Sequence, residues 1–250
     1  MSCCFSHYAG HYVNENIPEE GAGRHRYAMT TDTQDKKTYI FVDGQNFYLS
    51  ARTAFGLRYP NFDVKSVANI ISERATGRPA DHVTFYTGMP VHKFSPTWHG
   101  FWTNKLRAME EDGIDTFTRP LRYTYETDPQ AATGFKILST REKGIDLRIA
   151  LDAMEAARRP DCGDIIIVSR DQDFQEVIEK IEIMCAFENR EIGLWSSYPD
   201  GGNGPSHLRG IDGTKEVVVT RDDYAKCIDN HDYRGTYTPR QQASESMSPS

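Results

Sequence analysis

Two junctions of the same kind constrain this chain more than any other feature. In the first, Tyr39-Ile40-Phe41-Val42 ends at Asp43-Gly44-Gln45-Asn46 and runs into Phe47-Tyr48-Leu49. In the second, Ile165-Ile166-Ile167-Val168 ends at Ser169-Arg170-Asp171-Gln172-Asp173 and runs into Phe174, Val177, Ile178 and Ile181. Four consecutive bulky apolar residues with no polar alternation read as a short strand buried on both faces, as in a parallel sheet. The spacing that follows is helical. A chain with two strand–carboxylate–helix units of this kind folds as alternating α and β elements around a mainly parallel sheet.

The intervening pattern agrees. Asp63 reads as the N-cap of a helix through Val67, Ile70 and Ile71 that ends near Gly77-Arg78-Pro79. His82–Tyr86 reads as a second strand, and Gly88-Met89-Pro90 as a loop. A helix is expected from Pro96 to Asp112, with Trp98, Phe101, Trp102, Leu106 and Met109 inward, followed by a strand over Ile114–Thr118. Residues 119–143 read as irregular and basic, with Tyr123, Tyr125 and Phe135 among Arg119, Arg122, Lys136, Arg141 and Lys143. A long helix over 144–158 carries Ile145, Ile149, Ala153 and Ala157 on one stripe, widened by Leu147, Leu151 and Met154. Glu191–Trp195 is a fifth expected strand and Glu216–Val219 an edge strand, with one helical turn over Pro205–Arg209 and a short helix at 221–224. The fold class is therefore a three-layer α/β/α sandwich with no internal repeat. The domain spans 37–226, between a poorly ordered leader (1–36) and a tail (227–250).

Charge and cysteines bound the function. The net charge is −7, which argues against a protein held on nucleic acid by bulk electrostatics. Five cysteines without a C-x-x-C pair favour a reducing, cytoplasmic location over a disulfide framework. No apolar run reaches membrane-spanning length and no secretory signal is evident. Cys3, Cys4, His7 and His11 match no common zinc spacing. G-x-G-x-x-G after a strand, the P-loop and the G-x-S-x-G elbow are all missing. A phosphoaspartate enzyme carries a second acid two residues after the strand-end Asp, where this chain has Gln45.

Parallel strands present their carboxyl ends on one edge of the sheet, where ligands sit. Asp43, the pair Asp171/Asp173, and Asp146 in the first turn of its helix all belong to that edge. The bland alternative is that Asp171 and Asp173 only cap a helix. Four crowded carboxylates either protonate in part or share a cation. An all-oxygen set favours Mg²⁺ or Mn²⁺ over zinc. Asn46 adds a neutral oxygen or a bond to a phosphate. Such a site suits phosphodiester hydrolysis, in which a divalent cation activates water and stabilises phosphoryl charge. Arg170 either binds the scissile phosphate or pairs with one of the acids. The basic 119–143 stretch is either a solvated loop or a grip on a nucleic-acid backbone. Asp152 reads as a structural acid. Trp98, Phe101 and Trp102 read as core or groove wall, with base stacking the alternative. No partner is evident for His92 or His99.

Three blocks taken together, YIFVDGQNFY (39–48), EKGIDLRIALD (142–152) and the IIVSRDQDF run ending at Phe174, resemble the signature blocks of NYN domains. Their LabA-like branch among the PIN-like ribonucleases is the nearest match, over about residues 37–226. The resemblance implies a PIN-like fold and Mg²⁺- or Mn²⁺-dependent endonucleolytic cleavage of RNA leaving 5′-phosphate and 3′-hydroxyl ends. It places the family's acids at Asp43, Asp146, Asp171 and Asp173 and its Asn at Asn46. Arg170, Lys143 and Arg141 are the expected substrate contacts. The third block usually reads Ser-Gly-Asp-Ser-Asp-Phe, so Arg170 and Gln172 depart from it; Gln45 is a milder change. Two alternatives stay open, a non-catalytic RNA-binding or regulatory module and a nuclease acting on DNA, and a homo-oligomer is compatible with each.

Overall fold

A computed structural model of the chain describes residues 36–59, 61–202 and 209–235. The sheet grows from the two junctions. Strand β1 (Lys37–Asp43) pairs in parallel with β6 (Cys162–Val168), with Ile40 beside Ile166 and Val42 beside Val168. On its other side β1 pairs with β2 (His82–Met89), and β2 with β3 (Asp115–Pro120). Beyond β6 lie β7 (Gly193–Pro199) and β8 (Lys215–Val219). All five pairings are parallel, in the order β3-β2-β1-β6-β7-β8.

The unbroken apolar runs exist because both faces are covered. Alternate residues point to opposite faces. Ile40, Val42, Ile166 and Val168 join one core layer, while Tyr39, Phe41, Ile165 and Ile167 join the other. Ile165–Val168 are all fully buried, each contributing roughly 1.5–3 kcal/mol of transfer free energy. The first layer is closed by α1 (Gly44–Phe55), α2 (Val64–Thr76), α3 (Pro96–Glu111) and α6 (Arg221–Lys226). The second is closed by α4 (Ile145–Ala157) and α5 (Gln175–Glu188). Helix α2 has the expected ends: Asp63 accepts from the Ser66 amide at 2.7 Å and Gly77 is left-handed.

The structure departs from expectation in several places, among them Gly88 and Met89, which extend β2 where a loop was expected. Residues 119–143 are not irregular: β4 (Arg122–Thr127) and β5 (Phe135–Arg141) form an antiparallel hairpin outside the main sheet. Its interleaved rings gather on Phe94, which lies 4.6 Å from both Tyr123 and Tyr125 and 5.3 Å from Phe135. Ile145, Ile149, Ala153 and Ala157 form the buried stripe of α4 as expected, joined by Ala156, but Leu147 and Leu151 do not widen it and are exposed. In α3, Leu106 and Met109 are buried but Trp98 stands 45 % exposed. Strand β7 continues past Trp195 through Ser196 and Ser197, buried hydroxyls paired with Thr214 and with the Val217 carbonyl.

Past the expected boundary at 226 the chain stays packed. Cys227 and Tyr233 are buried, and Phe62 bridges Ile228 in antiparallel fashion. Asn104 donates to the carbonyls of Tyr233 (2.9 Å) and Gly235 (2.8 Å). The leader with Cys3, Cys4, His7 and His11, residues 205–208 of the expected helical turn, and 236–250 lie outside the described residues. Among the described residues no helix is long and apolar enough to cross a membrane.

Candidate functional site

From β1 the chain order runs one way through β2 and β3 and the other way through β6, β7 and β8. The crevice beyond the carboxyl ends of β1 and β6 is therefore the switch point of the winding, where open α/β sheets hold ligands. Both acidic junctions open onto it. Asp43 ends β1 and N-caps α1, accepting from the Asn46 amide at 3.0 Å. Asp171 N-caps a short 3₁₀ turn (Gln172–Phe174) ahead of α5, accepting from the Asp173 amide at 3.1 Å. The capping role and a role at the crevice thus coexist in the same side chains.

Side chains tie the two junctions together. The Ser169 hydroxyl donates to Asp43 Oδ2 at 3.4 Å and accepts from the Asp171 amide at 3.1 Å. Asn46 Oδ1 accepts from the Arg170 amide at 3.3 Å and the Ser50 hydroxyl at 3.5 Å. Asn46 is thereby a brace between loop and helix. The third acid comes from α4. Gly144, its N-cap, has φ 77°, a left-handed conformation that glycine adopts without a Cβ penalty. Asp146 then falls in the first turn and stays exposed.

Asp43, Asn46, Lys143, Asp146 and Asp171 line one open cleft of about 400 Å³, with Gln45 and Glu142 in its wall. Burial pushes the Asp43 carboxyl up to about 6; the Asn46 amide opposes this, while Asp171 and Asp146 add to it. Burial also pushes Glu142 up to about 7, opposed by the Gly88 amide and reinforced by Asp43 and Asp146. Asp146 thus adds to the push on both carboxyls, as expected of acids sharing a cleft.

Glu142 is the residue that sequence reasoning missed. It accepts from the Gly88 amide at the end of β2, where a Cβ on residue 88 would fall 2.6 Å from its Oε1 and overlap Leu121. With its amide nitrogen turned inward, Gln45 donates to Glu142 Oε2 at 2.9 Å. The available signal was an acid four residues before Asp146 within the second block. Ser169 was likewise overlooked, although it stands between the strand and the acids.

Three expected site residues lie elsewhere. Asp173 is exposed and outside the cleft lining; its amide supports Asp171 instead. Arg141 ends β5 opposite Arg122, exposed on the hairpin. Arg170 follows neither expected course: its guanidinium carbon sits 5.5 Å from the Tyr198 ring centroid, and its buried Nε has no hydrogen-bond partner among the described residues. Gln172, the second departure in the loop, donates to the Gly210 carbonyl at 2.8 Å and accepts from the Asp212 amide at 3.2 Å. It fastens the acidic loop to the segment before β8. Asp152 is the structural acid expected, accepting from the Tyr86 hydroxyl and from Arg148, each at 2.8 Å. His99 Nδ1 lies 2.7 Å from the Pro90 carbonyl, and its ring meets His92 edge-on at 5.5 Å.

The donor set is hard oxygen throughout, which suits Mg²⁺ or Mn²⁺. The upward push on Asp43 and Glu142 is the strain a cation would relieve. Among the described residues, however, no three His, Cys, Asp or Glu side chains are drawn together closely enough to hold a metal ion as they stand. The acids share a cleft without forming a coordination shell.

No curated protein sequence matches the chain. A solved structure of a protein of unknown function from Vibrio parahaemolyticus RIMD 2210633 is 22 % identical, covering 77 % of this chain and 96 % of that one at a TM-score of 0.45. The family model of the NYN domain matches residues 37–186, more than half of the chain and including both junctions and the start of α4. The chain belongs to the NYN domain family.

Proposed function

We propose that this protein is a metal-dependent endoribonuclease of the LabA-like branch, acting in the cytoplasm. The observation that carries the reading is the convergence of Asp43, Asp146 and Asp171, from three separate elements, on one cleft at the switch point of the sheet. Burial, and after it the neighbouring acids, push up the Asp43 and Glu142 carboxyls, which supports a cation as partner to the cluster. Asp43, Asp146 and Asp171 would hold the ion; Mg²⁺ or Mn²⁺ would supply Lewis acidity toward water and the phosphoryl oxygens. The Asn46 amide and the Ser169 hydroxyl each hold one oxygen of the Asp43 carboxylate, which fixes its orientation at the cleft. The Asp173 amide does the same for Asp171. Glu142, held by Gly88, borders the same space and would accept a proton from water there. Lys143 is the cation in the lining and would meet a phosphate oxygen.

Two observations favour a second reading, a non-catalytic RNA-binding module: among the described residues the carboxylates are not gathered into a shell, and the Arg170 guanidinium lies over the Tyr198 ring and outside the cleft lining. The acids alone do not choose the sugar, so DNA is a further alternative substrate. The test incubates labelled RNA and DNA oligonucleotides with Mg²⁺, Mn²⁺ or a chelator, beside an Asp146→Asn variant. RNA cleavage that needs metal and Asp146 supports the nuclease. Cleavage that survives both the chelator and the substitution overturns the site, and binding without cleavage in either metal establishes the module.

A further inference from the structure

A second and larger cavity, of about 710 Å³, adjoins the acidic cleft and shares its Gln45 and Glu142 wall. Its character is opposite. Tyr59, Trp98, Phe101, Trp102 and Phe85 line it from rim to floor. The rings form a continuous series: Tyr59–Trp98 at 6.5 Å, Trp98–Phe101 at 5.4 Å, Phe101–Trp102 at 5.7 Å and Trp102–Phe85 at 6.0 Å. The series ends beside the acids, since Phe85 packs against Gly44, the residue after Asp43. At the rim the rings are left open to solvent, Trp98 at 45 % and Tyr59 at 63 % exposure. These two are splayed by 35° instead of packed face to face. The polar floor is already satisfied: buried Lys105 donates to Asn61 and to the Phe62 carbonyl, and Asn61 donates to the Asp229 carbonyl at 2.7 Å.

We infer that this cavity is a binding site for an unpaired nucleobase, in which Trp98 and Tyr59 stack on the base while the neighbouring phosphate lies in the acidic cleft. The inference rests on the nucleic-acid reading of that cleft and adds the substrate class, a single strand. Aromatic faces accept any base, and alternation of apolar base and charged phosphate along a strand matches the alternation of these two clefts. A base within a duplex presents no free face and would have to leave its stack. Trp98 touches the base and not the reacting phosphate, so it governs binding.

The test measures binding apart from cleavage. A labelled single-stranded oligoribonucleotide and an abasic oligomer of equal length and charge are titrated by fluorescence anisotropy in Ca²⁺. The proteins are the full chain, Trp98→Ala and Trp98→Tyr, with folding of each checked by circular dichroism. The wild type is expected to prefer the base-bearing strand. Trp98→Ala reduces that preference by roughly five- to a hundredfold, the range for loss of one stacking partner. Trp98→Tyr retains most of it, and affinity for the abasic strand is the same in all three. Equal binding of both strands by the wild type, or an unchanged preference in Trp98→Ala, overturns the inference. Cleavage is scored separately in Mg²⁺ and Mn²⁺. A strand held through its bases but never cut overturns the nuclease while leaving this site in place, and a strand cut without base preference does the reverse.

Discussion

The two clefts share a wall and are built on opposite principles. The acidic cleft is assembled from the ends of regular elements: Asp43 at β1, Asp171 after β6, Asp146 in the first turn of α4. Its side chains are held by backbone amides and by Ser169, at an electrostatic cost visible in the raised Asp43 and Glu142 carboxyls. The aromatic cleft is lined mainly by rings, and its buried cation, Lys105, lies 3.9 Å from an Asp229 carboxylate oxygen. It combines a helix face, a loop and a segment beyond the last helix, and its rings touch one another. Chemistry on phosphate needs concentrated, fixed charge, whereas recognition of a base needs flat, adaptable surface. The two meet at Gln45 and Glu142.

The comparison is broken most sharply by deleting charge. Asp146→Asn should lower RNA cleavage in Mn²⁺ by about 10²–10³-fold, while leaving base-dependent binding in Ca²⁺ within a few-fold. Equal loss of both would mean that the clefts are one site. Asp43→Asn should abolish cleavage yet raise the metal-free melting temperature, because it removes a charge that is costly to bury.

The shared wall gives the next effect. Gly88→Ala places a methyl group against Glu142 and Leu121. Overpacking of this kind costs about 1–3 kcal/mol, or roughly 3–10 °C in melting temperature for a domain of this size. Cleavage should fall with it, since Glu142 is displaced. A melting curve and an activity assay on one preparation decide it.

The pH dependence sharpens the contrast further. Asp43 and Glu142 have folded-state pKa values of about 6 and about 7, above their ordinary values. The folded state therefore holds protons that the unfolded chain has lost. Their contribution to stability is complete below about pH 4 and is lost as pH rises through 6 to 7. Without metal the melting temperature should fall across that window. Mg²⁺ or Mn²⁺ should restore more of it at pH 7.5 than at pH 5, because binding releases protons. Asp43→Asn should flatten the decline, and a pH-independent curve in chelator would contradict the buried carboxylates. Smallest of all, Asp152→Ala removes the partner of Tyr86 and Arg148. It should cost about 1–2 kcal/mol by chemical denaturation with kcat unaltered.

What could be read from the sequence follows the same division. The strands of the main sheet announce themselves because both faces are buried, which leaves unbroken apolar runs such as Ile165–Val168. The acids are legible because they end those runs. The β4–β5 hairpin is illegible for the converse reason: nearly every residue in it is exposed, so no alternation marks it as a strand. Leu147 and Leu151 mislead because α4 buries a narrower stripe than its apolar residues suggest. Glu142 hides because its importance depends on Gly88, 54 positions away. The aromatic cleft hides because Tyr59, Trp98 and residues 229–234 meet only in the folded chain.

The wall formed by residues 229–234 also has a temporal meaning. Synthesis proceeds from the amino end, and folding follows it domain by domain. By the time Gln172 and Asp173 have left the ribosome, every carboxylate of the cleft has been made, whereas Asp229, tied to Asn61, and Tyr233, tied to Asn104, are still dozens of residues from completion. The contacts of the carboxyl-terminal segment with Asn61 and α3 are therefore among the last that a growing polypeptide can make.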